Sequence, residues 1–201
     1  MEARRDFDKR HYEKANETLE GLRYVTAGTR LGGEVLFLLG ETAYKRGKYP
    51  EAESHYAAYL NTYQEGSFAE KAVYMQAMSK IRQIQKRKIG FFSFRSYIPH
   101  DRDITLLREA RVLFEIYMGS YPSGEWFEAA AARAEELLLK EGRHELEIAS
   151  FYLKKKNPRS ALARAERVLD GDYPDSTKAA ARDLAREAEK MLSSDGARQD
   201  L

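Results

Sequence analysis

The residues of this chain most able to do chemistry near neutral pH are four histidines, His11, His55, His100 and His144, because imidazole titrates in that range and ligates metals. None has a second histidine four residues away, the separation that puts two imidazoles on one helix face around a metal ion. His55 sits beside Tyr56 inside a helical pattern, where a packed or surface imidazole is the simpler reading. Carboxylates are plentiful, yet Glu51/Glu53, Glu135/Glu136 and Glu145/Glu147 have the clustering of solvated helix faces, not of an acid pair flanking a glycosidic bond. The chain has no cysteine, which excludes a thiolate nucleophile, cysteine-ligated zinc and intrachain disulfides and leaves the redox compartment open. No Walker loop, Gly-x-Ser-x-Gly elbow or dinucleotide fingerprint occurs. The expectation is a protein that is not an enzyme, needs no cofactor or metal, and acts by binding.

One stretch raises nucleic acid or a membrane surface as the thing bound. Residues 80–88, KIRQIQKRK, hold five basic side chains in nine and are followed by Gly90-Phe91-Phe92-Ser93-Phe94, and basic residues beside aromatics suit either ligand. No second basic helix or repeated aromatic platform accompanies them. The plainer reading is basic side chains at a helix C-terminus and aromatics that anchor a long loop back onto the fold by burying Phe91 or Phe92. Formal charge is +2; residues 1–100 carry 17 basic against 12 acidic side chains and residues 101–201 carry 17 against 20. That asymmetry is too mild for a nucleic-acid footprint, so no nucleic-acid partner is expected.

The elements that would position binding residues read as helices. The chain is 43% hydrophobic and 33% charged, with 5 Pro and 13 Gly in 201 residues, and good helix formers fill the remainder. Residues 36–63, LFLLGETAYKRGKYPEAESHYAAYLNTY, contain two amphipathic patterns joined by a Gly-x-Tyr turn, the signature of a tetratricopeptide (TPR) repeat. Gly40 and Ala52 permit close backbone approach, Gly47 can take the left-handed conformation that ends the first helix, and Tyr49-Pro50-Glu51 opens the second. From Asp6 to Leu22 the spacing predicts one helix, like the second helix of a repeat with no first helix before it. Ser67 and Glu70 have capping-box spacing for the next helix, a long loop covers 89–103, and residues 104–118 resume a second-helix pattern. Ala52 to Tyr63 and Ala110 to Tyr121 are both eleven residues and Ala161 to Tyr173 is twelve. The endings TYQEGS, SYPSGE and DYPDST each close a helix with an aromatic before a turn. Further on, 126–140 and 144–156 read as helices interrupted at Glu141-Gly142, 158–169 pairs with the latter, and 179–192 closes the array.

The expected fold class is all-α, a right-handed α-solenoid of TPR-like helix pairs forming a single domain over 1–192. It divides into N-terminal repeats over 6–64, a third repeat over 67–121 with its inter-helix loop at 89–103, C-terminal repeats with a capping helix over 125–192, and a flexible tail at 193–201. Phe37, Glu41 and Tyr44 share one face of a first helix and are candidates to line a peptide groove; the alternative is that Phe37 and Tyr44 only pack between repeats. No run approaches the roughly 20 apolar residues needed to span a bilayer, and the first residues hold no apolar signal region.

With these features the chain resembles the BamD family (YfiO/ComL type), TPR lipoproteins of the outer-membrane β-barrel assembly machinery, over about Tyr12 to Leu192. The resemblance is carried by Tyr74-Met75, by the loop with Gly90, Phe91, Phe92 and Asp101-Arg102-Asp103, and by Ile148-Ala149-x-Phe151-Tyr152 continuing to Asp172-Tyr173-Pro174-Asp175. It implies a non-enzymatic protein on the periplasmic face of the outer membrane that binds the barrel-forming subunit BamA, other assembly lipoproteins and unfolded outer-membrane proteins. It also implies that Arg164 occupies the place of a BamA-contacting arginine. Relative to that family the chain lacks a signal peptide, a lipidated cysteine and the first helix of the first repeat, and its Ser93–His100 portion reads as longer. A general TPR scaffold of the envelope or cytosol that touches no unfolded substrate is the alternative, and an RNA-binding helical repeat rests on residues 80–88 alone.

Overall fold

The computed structural model describes residues 2–90 and 101–199. Among the described residues there are nine α-helices and no strand: α1 (Glu2–Asp8), α2 (Tyr12–Arg23), α3 (Arg30–Lys45), α4 (Tyr49–Thr62), α5 (Ala69–Gly90), α6 (Asp101–Ser120), α7 (Phe127–Lys154), α8 (Pro158–Asp170) and α9 (Asp175–Gln199). The all-α class and the TPR-like sequence of helix pairs are as expected. Two compact units are distinguished, Met1–Ala134 and Glu135–Leu201. No described helix is long and apolar enough to cross a membrane.

Three helix pairs turn in the same way. At the ends of α1, α3 and α7 a single residue adopts the left-handed conformation, Arg10 (φ 63°), Gly47 (φ 71°) and Lys156 (φ 56°). The next amide reaches back five residues: His11 N–H donates to the Asp6 carbonyl, Lys48 N–H to Ala43 and Asn157 N–H to Tyr152, each at 2.9 Å. These are Schellman closures, which satisfy helix carbonyls left without intrahelical partners. Gly47 adopts the geometry at no steric cost, whereas an L side chain there costs about 1–2 kcal/mol. Because Arg10 carries no such signal, the sequence pattern merges α1 and α2 into one helix from Asp6. The structure corrects this, since α1 precedes α2 and packs on it through buried Ala3 and Asp6.

Counting from each left-handed residue fixes the repeat register. Five positions on stand Ala15, Ala52 and Ala161, and nine on stand Leu19, Tyr56 and Ala165, all fully buried. In α6 the same spacing places Ala110, Phe114 and Tyr117 in the core. Alanine recurs because the second helix of each pair crosses its neighbours there, and a larger side chain would separate them. Fully burying a phenylalanine ring such as Phe114 contributes about 1.5–3 kcal/mol over leaving it in water.

Other boundaries differ from the sequence reading for identifiable reasons. Helix α5 begins at Ala69 and Glu70 caps no box with Ser67; its carboxylate is engaged by α6, as described below. Both ends of the stretch expected as loop are helical, with Ile89 and Gly90 closing α5 and residues 101–103 opening α6. Positions 91–100, including Phe91 and Phe92 and their expected burial, lie outside the described residues. Gly142 does not interrupt a helix. It is buried within a continuous α7, and a methyl group there would stand 2.8 Å from Thr177 Cγ2 and 2.9 Å from Tyr173 Cδ1, so the glycine serves close packing within the second unit. Helix α9 continues to Gln199, through most of the segment expected as a tail.

Candidate functional site

In the first unit an aromatic arrangement occurs twice. Phe37 of α3 packs against Tyr56 and Tyr59 of α4 and stacks on Phe68, with ring centroids 5.9, 6.0 and 4.4 Å away. Thirty-seven positions later, Tyr74 of α5 packs in the same way against Phe114 and Tyr117 of α6 and stacks on Trp126, at 5.7, 5.9 and 5.6 Å. In each copy the buried tyrosine hydroxyl accepts an amide proton nine residues ahead, Phe68 N–H to Tyr59 Oη at 3.1 Å and Trp126 N–H to Tyr117 Oη at 3.0 Å. The tyrosine of one helix thus orders the chain leading into the next. A methyl group at Gly66 would collide with the Tyr59 hydroxyl, and one at Gly124 with the Tyr117 hydroxyl, so the glycines in TYQEGS and SYPSGE make room for this contact. Tyr117 also donates to Glu70 Oε1 at 2.7 Å, which accepts from Glu125 N–H at 2.8 Å. Burial, reinforced by the bond to Glu70, pushes the Tyr117 phenol up to about 12.

This packing locates the three residues expected to line a peptide groove. Phe37 is only 4% exposed and Glu41 8%, and Phe37 packs between α3, α4 and the segment that leads into α5. Glu41 accepts from Tyr56 Oη at 2.7 Å and from Lys71 Nζ at 2.8 Å, joining α3, α4 and α5. Burial first, and the Glu41 charge second, hold the Tyr56 phenol far above its usual range. Lys71 Nζ also lies 5.3 Å from the centre of the Phe37 ring. Tyr44 is half-buried, edge-on to Tyr49 at 5.3 Å, and its hydroxyl accepts from Arg82 Nε at 3.2 Å.

The described part of the basic run is engaged internally. Lys80 lies between Glu53 at 2.8 Å and Glu109 at 2.7 Å. Its burial works to lower the ammonium pKa, but the hydrogen bonds to Glu109 and Glu53 outweigh that and raise it. Arg82 is bound to Tyr44 and Gln85. The side chains of Lys86, Arg87 and Lys88, and those of Asp101, Arg102 and Asp103 at the start of α6, lie outside what the structure describes, and of Gly90 only its place at the end of α5 is described.

In the second unit Arg164 of α8 is half-buried and paired with a carboxylate of α7. Its Nη1 donates to Glu145 Oε2 of α7 at 2.9 Å, with the Arg164 side chain 27% exposed and that of Glu145 4%. A guanidinium has five N–H donors, so this bond orients the group and leaves others for a carboxylate of a partner. The same unit has an open groove of about 550 Å³ between α7 and α9, lined by Leu146, Phe151, Ala180 and Leu184 with Arg143 and Lys154. Phe151 is 43% exposed with Lys155 Nζ 5.7 Å from its ring.

No three His, Asp or Glu side chains converge for a metal among the described residues. His55 is mostly buried 3.9 Å from Glu20, and burial lowers its pKa against the pull of that carboxylate. What sequence reasoning passed over is the α2–α3 turn, where Tyr24 and Val25 stand almost wholly in water. The only signal was a stretch, residues 21–33, that contains no acidic residue.

Comparison with known proteins agrees with this architecture. The "Outer membrane protein assembly factor BamD" of Rickettsia prowazekii (strain Madrid E) is 24% identical over 163 residues, covering 81% of this chain and 60% of that protein. The chain thus spans 60% of the length of the curated relative it matches. The family model of YfiO, described as an outer membrane lipoprotein, matches residues 1–199. By that match, which takes in all nine helices, the chain belongs to the YfiO family of outer membrane lipoproteins.

Proposed function

We propose that the chain is a non-catalytic scaffold in outer-membrane protein assembly, working at the periplasmic face of the outer membrane. In this reading it binds a BamA-type subunit through α8 and holds unfolded outer-membrane proteins loosely. The observation that carries the reading is the family match across residues 1–199. The geometry supports it in two ways. The described aromatics of the first unit are largely spent on joining successive helix pairs, as befits a rigid adaptor. Arg164 is held by Glu145 at a half-buried position, where a planar fork can engage a second carboxylate bidentately. With Phe37 and Glu41 inside the stack, an extended substrate falls instead to the α7–α9 groove and its exposed Phe151, which offers apolar area at little entropic cost. Binding to a BamA periplasmic fragment tests the proposal. Arg164→Ala should weaken it more than tenfold, since truncating a buried charged pair across an interface costs about 2–5 kcal/mol, while exposed Arg182→Ala on α9 leaves it unchanged. Equal, small losses from both would reject the assignment.

A further inference from the structure

The turn between α2 and α3 holds two adjacent apolar side chains in water and is built to keep them there. Tyr24 is 80% exposed and Val25 77%, and Leu31 in the first turn of α3 is 42% exposed. Unsupported, such residues would fold back onto the nearest apolar surface. The turn prevents this through threonines. Buried Thr26 donates its hydroxyl to the Leu22 carbonyl at 2.8 Å, Thr29 Oγ1 donates to the Thr26 carbonyl at 2.6 Å, and Thr29 Oγ1 accepts from Gly32 N–H at 3.1 Å. Thr29 N–H closes on the Thr26 carbonyl at 3.1 Å, and Gly28 reverses the chain at φ 75°. The backbone under Tyr24 and Val25 is therefore pinned at both ends, and little ordering entropy is left to lose when they meet a ligand.

The charge around the tip has one sign. Residues 21–33 contain Arg23 and Arg30 and no aspartate or glutamate. Arg30 is exposed and has no partner among the described residues, and the Arg23 guanidinium carbon lies 5.8 Å from the centre of the Tyr24 ring. Of the nearest acids in sequence, Glu34 is engaged by Arg4 at 2.9 Å, while Glu20 lies 3.8 Å from Arg23 and 3.9 Å from His55, so Arg30 is the cation of the turn with no carboxylate beside it among the described residues. A protruding tip with an amphipathic aromatic, an aliphatic neighbour and flanking guanidinium groups matches the interface of an anionic bilayer. There tyrosine rings sit at headgroup depth and arginines face phosphates.

We propose that the α2–α3 turn is a membrane-touching tip, which dips Tyr24 and Val25 into the interface of an anionic lipid surface while Arg30 binds its phosphates. The chain belongs to a family of outer membrane lipoproteins, and on a lipid-anchored protein a second, weak contact sets orientation against the bilayer.

The test uses the whole chain and vesicles alone, so that its outcome is independent of the scaffold reading. Vesicles of phosphatidylethanolamine with phosphatidylglycerol should sediment the chain in a salt-sensitive way, and vesicles of phosphatidylcholine should not. Tyr24→Ser with Val25→Ser should weaken partitioning about tenfold, the worth of burying one such side chain. Arg30→Gln should weaken it about fivefold. Because the chain has no cysteine, Val25→Cys provides a unique attachment point for an environment-sensitive dye. Its emission should shift to the blue on anionic vesicles, while the same dye at Val112→Cys, another exposed valine, stays unchanged. The proposal is overturned if anionic vesicles bind no better than neutral ones, if the serine variant binds as well as the parent, or if both dyes respond alike. It is equally overturned if the dye at position 25 responds to a BamA fragment and not to lipid, which would make the tip a protein contact.

Discussion

The same substitution, glycine to alanine, should have opposite effects at two helical positions of the first unit. In a helix interior this change alone stabilises by about 0.8–1 kcal/mol, because alanine loses less backbone freedom on folding. At Gly21 in α2 nothing lies within 4 Å of the added carbon, so Gly21→Ala should realise most of that gain and raise the melting temperature by about 2–3 °C. At Gly40 in α3 the added carbon would stand 2.7 Å from Cε1 and 2.8 Å from Cδ1 of Tyr56, against ordinary carbon separations of about 3.5–4.0 Å. The ring would have to retreat by close to 1 Å. It is fully buried, and its hydroxyl is held by Glu41 at 2.7 Å. Overpacking of this kind costs about 1–3 kcal/mol, and loosening a hydrogen bond to a carboxylate adds about 1.5 kcal/mol or more. The clash therefore exceeds the propensity gain, and Gly40→Ala should destabilise by about 2 kcal/mol net, or about 4–8 °C. Trp126 is the only tryptophan and stacks on Tyr74 within the same unit, so urea titration followed by its fluorescence reads both variants. If Gly40→Ala proves as stable as the parent, the close crossing of α3 and α4 at Tyr56 is wrong, and with it the tight repeat register.

Further expectations follow from the turns and the buried polar groups. Tyr117→Phe removes a bond to the Glu70 carboxylate as well as the acceptor for Trp126 N–H and should cost about 1.5–3 kcal/mol, whereas Tyr59→Phe loses one neutral bond and about 1 kcal/mol, both read by denaturant titration. Arg10→Gly and Lys156→Gly should each stabilise by about 0.5–1 kcal/mol, the left-handed strain relieved less the extra entropy of glycine, which the shift in denaturation midpoint measures. His55 has a folded-state pKa below 6.5 because of burial, with Arg23 adding to the lowering and Glu20 and Glu51 opposing it. The unfolded chain then binds the extra proton more readily as pH falls, so His55 contributes stability that is present above about pH 6.5 and is lost as pH drops through its lower folded value. Melting temperatures between pH 7 and pH 5 should accordingly fall less for His55→Gln than for the parent.

The helix-pair architecture was legible because it rests on features that sequence carries directly, namely the spacing of small and aromatic residues and the Gly47 turn. The turns at Arg10 and Lys156 use the same hydrogen-bond geometry with a strained side chain in the left-handed place; Pro158 betrays the second, and nothing betrays the first. Gly142 read as a breaker because glycine is the poorest ordinary helix former, but its contact is with Thr177 and Tyr173, distant in sequence. The candidate site suffered from the same ambiguity. Phe37, Glu41 and Tyr44 do fall on one helix face, yet periodicity cannot say whether that face meets water or the next repeat. The pairing of Arg164 with Glu145 was invisible for a different reason, since helix-surface partners stand three or four residues apart and these stand nineteen apart on separate helices.

The buried tyrosines also bear on how such a chain could hold unfolded partners. If Phe37 and Tyr74 lay on an open face, capture of aromatic-rich segments would compete with the packing that orders the helices, and each binding event would loosen the fold. Instead the rings are stacked on Phe68 and Trp126, and the tyrosine hydroxyls are bonded to the backbone leading into the following helix. Opening that arrangement would expose several aromatic surfaces and unsatisfied amides together, at a cost above what a loosely held peptide returns. In the proposed reading, binding therefore uses groups that the packing leaves over, such as the Arg164 fork, the exposed edge of Phe151 and the tip at Tyr24. Each offers little area, which favours contacts that are individually weak and exchange quickly, as the proposed scaffold role requires.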